Sequence, residues 1–435
     1  MGKKKTIKEI NRKLQAGSAV VFTADELEKL LKNGEKVRWQ DVDIVTTATC
    51  GLMSGTVAVL SFTITGRGEF TRAQEILLNG VPAYPGPCPN ERLGVIDLIV
   101  YGTEHSISDN NYGGGHLFKD LAAGKSIHAK VKSKNGKKLE KDIKLNEMGY
   151  ARLHGIRHCF KNYIGMVNTS KTPVPSIFHV YPLKGPYKEV SVCGCGALNP
   201  LANDPELNVI GVGTKILIND AIGYVTGLGT RASPEKPNLS AFAELKDMDP
   251  YYMGGFITSE GPEVIASWAV PIPILNKKIF DNVTITDDRL PLPIANISDR
   301  IPFTNSDYAR VWQGTDLTVK FSSEKCKTNI KNCKKNNLMI NNQCPVERIC
   351  PVHAFKTIGS VLNRKLCFNC GACVRVCTVG CFKMNLGTVK INGRRVPITL
   401  RQSDKARAIK LAKQLKKKIL NGSFVITEKI ADLTF

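Results

Sequence analysis

The chain has 435 residues, 42% of them hydrophobic and 14 of them cysteine, and carries a formal net charge of +23. That length supports two or three domains with proper cores, and no apolar run is long enough to span a bilayer, which excludes an integral membrane protein of the helical kind. The charge calls for anionic partners without choosing among nucleic acid, lipid and small substrates, while so many cysteines behind an N-terminus (Met-Gly-Lys-Lys-Lys-Thr) that lacks a signal peptide's apolar core predict a cytoplasmic protein with metal-binding thiols, not a secreted disulfide scaffold.

The chain begins with a predicted helix over Ile7–Leu14 and a short strand at Ala19–Phe22. Thr23 and Glu26 then form a capping box that opens a helix ending near Gly34. Asp43–Thr47 reads as a strand running into Ala48-Thr-Cys50-Gly51, and a thiol at a strand end beside a helix N-terminus would be stabilised as thiolate. Between residues 55 and 310, β-like runs alternate with glycine and proline turns, as in Val57–Phe62, Val95–Val100, Lys215–Ile218 and Val264–Trp268. The glycine-rich loops at Tyr112–His116, Cys193–Gly196, Gly211–Thr214 and Gly227–Thr230 follow no phosphate-cradling pattern, so nucleotide binding is not indicated. Towards the end, a strand pair over Val389–Leu400 precedes a basic helix in which Ser403 is a candidate N-cap and Gly422 a candidate stop. Ala408, Leu411, Ala412, Leu415 and Ile419 form its apolar stripe, which leaves the lysines on a solvated face.

The most specific motif is Cys367-Phe-Asn-Cys370-Gly-Ala-Cys373-Val-Arg-Val-Cys377, the C-x2-C-x2-C-x3-C spacing that holds cubic iron–sulfur clusters in bacterial ferredoxins. A zinc site, with two separated cysteine pairs, fits this compact run poorly. Gly371 permits a backbone turn that a side chain would forbid. Cys350-Pro-Val-His-Ala-Phe355 aligns without a gap to Cys377-Thr-Val-Gly-Cys381-Phe382 as the ends of two repeats. Cross-ligation then gives one cluster to Cys350, Cys367, Cys370 and Cys373. Cys377 would complete a second with Cys326, Cys333 and Cys344, whose spacing is long and irregular, so the sequence predicts one or two 4Fe–4S clusters. Cys381 reads as a packing residue.

Other chemistry rests on thiols and histidines far from that run. Cys50, Cys88 between two prolines, and the Cys193-Gly-Cys195 pair are each open between a reactive and a packing role. His116, after three glycines, is a candidate proton donor, and His154 and His158 would share a face if they lay on a helix.

Asp43–Thr47, Asn79–Tyr84, Tyr112–His116, Pro200–Asp204 and Gly211–Thr214 together resemble the archaeal homocysteine-biosynthesis domain over residues 5–310. With a ferredoxin module fused directly behind, the whole chain resembles the methanogenesis marker 16 branch. The resemblance implies an α+β protein: a large mixed catalytic domain (1–310), a linker (311–324), a ferredoxin-like two-cluster module (325–386) and a strand pair with a short basic helical tail (387–435). It implies a sulfurtransferase that thiolates an aldehyde reductively, with sulfoacetaldehyde giving coenzyme M or aspartate semialdehyde giving homocysteine. The implied partners are a small anionic aldehyde, a sulfide or persulfide donor and a low-potential electron donor, with no membrane or nucleic acid and with homo-oligomer formation left open. Cys50, Cys88, Cys195 and His116 are then the candidate catalytic residues. The family's first functional cysteine falls on an ungapped reading at Ser54, and Ser126–Lys144, the region of its second, has no cysteine. The thiol chemistry is therefore expected to have moved, with Cys88 or Cys195 as the replacement. Competing readings are an electron-carrier subunit without a substrate and a nucleic-acid-binding iron–sulfur protein; the 401–420 helix lacks the interleaved aromatics that the latter would use.

Overall fold

A computed structural model describes residues 4–86 and 91–435. The fold is α+β, as the resemblance implies. Thr6 and Thr23 each close a capping box, opening the helices Ile7–Gln15 and Ala24–Lys32. The second helix links strand Val21–Thr23 to its parallel neighbour Ile44–Leu52, since parallel strands need a crossover. Ile44–Leu52 pairs in turn along nine residues with Gly261–Pro273, a strand buried almost throughout, whose near-continuous apolar run suits the middle of a sheet covered on both faces. This pair is the spine of a 14-stranded sheet that continues through Lys215–Ile218, Ala221–Leu228, Leu239–Glu244, Tyr150–His158 and Gly55–Thr63, and ends in meandering hairpins.

A second, six-stranded sheet runs in the order Pro302–Asp307, Pro291–Asn296, Gly165–Val167, Val190–Val192, Arg394–Arg401, Thr388–Ile391. The C-terminal strand pair is thus an inner and an edge strand of the body. The helix that follows, Lys405–Leu420, lays Ala408, Leu411, Ala412, Leu415 and Ile419 on the first sheet, all buried, as its stripe predicts. Each leucine so covered contributes about 1.5–3 kcal/mol. Its N-cap is Asp404, one residue beyond the expected Ser403, because the Asp404 carboxylate accepts the Arg407 N–H at 2.9 Å. The basic face is not wholly solvated. Arg401, Lys405 and Arg407 are buried, Lys405 against Asp287 at 2.8 Å, and Arg401 stacks over Trp312 at 4.3 Å with its guanidinium on the carbonyls of Val311, Asp316 and Leu386. No helix among the described residues is long and apolar enough to cross a membrane.

Residues 323–383 hold two similar units. Helix Pro345–Ile349 ends at Cys350 and leads to strand Phe355–Lys356; helix Ala372–Val376 ends at Cys377 and leads to strand Phe382–Lys383. In each, the N–H four residues beyond the cysteine points at its sulfur, Ala354 to Cys350 and Cys381 to Cys377, both at 3.3 Å. Phe355 and Phe382 meet edge to face at the junction, centroids 5.1 Å apart. Gly371 opens the second unit at φ +86°, where an added Cβ would lie 2.6 Å from Leu386 Cδ1.

Candidate functional site

Where the two sheets meet lies a cavity of about 500 Å³. The register of the second sheet builds its wall. Val190–Val192 and Arg394–Arg401 are parallel with Val192 opposite Arg401, so the residues that follow, Cys193 and Gln402, leave the carboxyl ends of neighbouring strands side by side. Such ends are where sheets with parallel strands present ligand-binding loops. The Cys193 thiol donates to Gln402 Oε1 at 3.0 Å. Gly194 follows at φ +120°, and its N–H donates to Ser403 Oγ at 2.8 Å. An added Cβ there would lie 2.5 Å from Tyr308 Oη, so only glycine lets the chain turn sharply enough to aim Cys193 at the cavity and Cys195 away from it.

Three cations face the same space: Arg157 at the end of strand Tyr150–His158, Arg231 after strand Ala221–Leu228, and Arg300 in the turn between Pro291–Asn296 and Pro302–Asp307. None of the three forms an ion pair with a described carboxylate. Burial holds Arg157 below its usual range, and the charges of Arg231 and Arg300 add to the penalty. A site of this kind is relieved by a bound anion. The carboxylate among the cavity's lining residues is Glu263, on the central Gly261–Pro273 strand. Burial pushes it up to about 7, against the pull of Ser54, the Val264 N–H and Arg300. Among the described residues its Oε2 has no hydrogen-bond partner. A carboxyl poised near neutrality can both take and give a proton.

The expected catalytic residues are distributed over three places. Cys50 lies inside strand Ile44–Leu52, fully buried, and is absent from the cavity lining; burial pushes its thiol up to about 12 despite the Arg407 charge. A helix N-terminus is nearby, as predicted for Cys50, but Asp404 N–H spends it on the Cys50 carbonyl at 3.0 Å. Cys195 packs against the same carbonyl at 3.6 Å and accepts from Thr49 Oγ1 at 3.7 Å. The two thiols are thus neighbours beneath the cavity floor. His116 lines a separate pocket of about 140 Å³ with Lys119 and Arg407; burial lowers it to about 4, and its Nε2 has no partner among the described residues. Cys88 lies outside the described residues. His154 and His158 are on a strand, not a helix, and His158 is held by Thr56 and the Trp268 N–H. Ser54 lines the main cavity, and so does Cys193.

The cysteines expected to hold clusters fall into two groups. Cys350, Cys367, Cys370 and Cys373 line one small cavity, and Cys326, Cys333, Cys344 and Cys377 line another. Within each group the thiols raise one another's pKa: Cys373, after burial, by Cys370, Cys367 and Cys350, and Cys333, after burial, by Cys344, Cys377 and Cys326. Among the described residues no three metal-binding side chains converge on one point as a single ion requires. Four thiols spread around the wall of a cavity suit a cube instead, which takes one thiolate at each iron. The first group is tied to the body. Arg401 N–H donates to the Cys370 carbonyl at 2.9 Å, Arg407 donates to the Cys367 carbonyl at 2.9 Å, and Asn369 donates to Asp404 at 3.1 Å.

Comparison with known proteins gives this arrangement a context. No solved structure matches the chain. A protein of Methanothermobacter thermautotrophicus, described as uncharacterized, is 42% identical over 97% of this chain and 94% of its own length. Two proteins named L-aspartate semialdehyde sulfurtransferase also match. That of Methanocaldococcus jannaschii is 32% identical over 67% of this chain and 58% of its own length; that of Methanosarcina acetivorans is 30% identical over 76% and 67%. The family model described as "Homocysteine biosynthesis enzyme, sulfur-incorporation" covers residues 19–426, through both sheets, both cysteine groups and the C-terminal helix. Two of its relatives are thus named as sulfurtransferases, and the chain belongs to the homocysteine-biosynthesis, sulfur-incorporation family.

Proposed function

We propose that the protein is a reductive sulfurtransferase that turns a small anionic aldehyde into the corresponding thiol. The observation that carries this is one cavity holding a thiol, a near-neutral carboxyl and three arginines without an ion pair among the described residues, with a cysteine group suited to an iron–sulfur cluster tied by hydrogen bonds to its wall. The net change is one aldehyde, one hydrogen sulfide, two electrons and two protons to one thiol and one water. Arg157, Arg231 and Arg300 hold the anionic end of the substrate and so fix where its carbonyl lies. Glu263 gives a proton to the carbonyl oxygen as sulfur adds, and again as that oxygen leaves as water. Cys350, Cys367, Cys370 and Cys373 would hold one 4Fe–4S cluster and Cys326, Cys333, Cys344 and Cys377 a second. When bound, such clusters supply electrons one at a time at low potential. The lysines of helix Ser323–Lys335, which carries Cys326 and Cys333 on the outside of the molecule, offer an acidic electron donor a landing surface.

Two aldehydes fit this reading. The names of the relatives favour aspartate semialdehyde, giving homocysteine. The charge of the cavity favours sulfoacetaldehyde, giving coenzyme M: three arginines face one half-ionised carboxyl, a surplus that suits a permanent sulfonate better than a zwitterionic amino acid. Anaerobic protein supplied with sulfide, a low-potential reductant and an equimolar mixture of both aldehydes tests the proposal and separates the two. The thiol that accumulates, identified by mass, names the substrate, and formation of neither thiol overturns the proposal.

A further inference from the structure

Among the described residues, Cys193 carries the one thiol that lines the main cavity; Cys50, Cys159 and Cys195 are fully buried away from it. A thiol alone assigns nothing, but Glu263 stands with it. That carboxyl is 4% exposed, lines the same cavity, leaves Oε2 without a hydrogen-bond partner among the described residues, and is near enough to raise the Cys193 thiol further after burial has raised it. Gln402 takes the thiol's hydrogen at 3.0 Å and fixes its direction. We infer that Cys193 is the sulfur carrier of this enzyme, with Glu263 as the base that takes its proton and Gln402 as a positioning residue. This rests on the sulfurtransferase reading above and assigns the thiol within it.

The loading step closes without a redox partner. The Cys193 proton passes to Glu263 and Sγ attacks a sulfane sulfur of a polysulfide. One S–S bond forms and one breaks, the shortened polysulfide departs with the two negative charges it brought, and Glu263 returns the proton to the new terminal sulfur. A thiol kept neutral by burial needs such a base, since the thiolate is the nucleophile. Delivery of that sulfur to carbon then takes two electrons and two protons more than the sulfide route, drawn from the same low-potential donor, because the carried atom is at the oxidation level of elemental sulfur. The position also links the carrier to the first cysteine group. From the Cys370 carbonyl a hydrogen bond to Arg401 N–H, the Arg401–Gln402 backbone, the Gln402 side chain and a second hydrogen bond reach Cys193 Sγ.

The test is to load the anaerobic holoprotein with inorganic polysulfide, remove the excess, cap thiols and persulfides by alkylation, and weigh the peptides. One added sulfur atom is expected on the Cys193 peptide of the wild type and of Cys50→Ala, and none in Cys193→Ser. Glu263→Gln is expected to load about a hundredfold more slowly near neutral pH, without the rise around pH 7 that the wild type shows, and Glu263→Asp to recover part of the rate. Sulfur on Cys50, Cys88 or Cys195 in place of Cys193, or a Glu263→Gln variant that loads with the wild-type rate and pH profile, overturns the inference. The parent reading fails separately. Loading without thiol formation from either aldehyde refutes that reading and leaves the carrier standing, whereas normal turnover of polysulfide and aldehyde by Cys193→Ser removes the carrier and leaves the reading intact.

Discussion

Replacing Glu263 by glutamine isolates the cost of keeping a carboxyl on the central strand. Its ordinary value is 4.5 and burial raises it to about 7. A difference of about 2.5, at 1.36 kcal/mol for each pKa unit, amounts to about 3 kcal/mol. The sign follows from proton binding: the folded protein holds this proton more tightly than the unfolded chain does. Below pH 4.5 both states are protonated and nothing is lost. As pH rises from 4.5 to 7 the unfolded chain releases the proton first, the folded state loses stability, and above 7 the loss is complete. Glutamine is neutral throughout, so the stability of Glu263→Gln minus that of wild type should rise by about 3 kcal/mol between pH 4.5 and pH 8. The raised thiols of Cys193, in the cavity, and Cys50, beneath it, titrate above this window. Denaturant titrations of both proteins across that range, under anaerobic conditions, measure the difference. A difference that stays constant with pH would refute the placement of this carboxyl in a water-poor cavity.

The other predictions concern the anion site, the turn and the cysteine groups. Arg300→Gln and Arg157→Gln should each raise KM for the aldehyde about ten- to a hundredfold, from one lost charge-assisted contact of about 1.5–3 kcal/mol, and should do so with little change in kcat. Gly194→Ala should cost about 1–3 kcal/mol in stability, because alanine at φ +120° is strained and its Cβ meets Tyr308. Cys370→Ala and Cys333→Ala should each remove about half of the bound iron and acid-labile sulfide, read by metal and sulfide analysis; loss of all of it, or none, from either variant would contradict two independent groups.

The cysteine groups were legible because their spacing is local: two short helices ending in cysteine, five residues before a strand that opens with phenylalanine, are written into Cys350–Phe355 and Cys377–Phe382. Cys326 and Cys333 were legible only by elimination, since a helix of 13 residues spreads them over two turns. The cavity was mostly hidden. Arg157, Arg231 and Arg300 come from a strand end and two loops up to 143 residues apart, and only strand pairing brings them together. Glu263 reads as one polar residue in an apolar run, with nothing local to mark it. The Cys193-Gly-Cys195 loop stands out in the sequence, but which of the two thiols meets the cavity depends on the φ of Gly194 and on register with a strand 209 residues later, from Val192 to Arg401. The same long-range pairing turns the C-terminal hairpin, which looks like an appendage in sequence, into part of the wall.

The most direct measurement is a single turnover without external electrons. The holoprotein is reduced, freed of reductant, and mixed with sulfide and the aldehyde under argon, and the thiol is then counted per chain. Two filled one-electron centres should yield about one thiol for each chain, in step with their reoxidation, and Arg300→Gln should need a higher aldehyde concentration to reach that yield. Centres that stay reduced while the aldehyde is untouched, or an equal yield from protein that was never reduced, would contradict the claim that this cavity and these thiols form one reductive site.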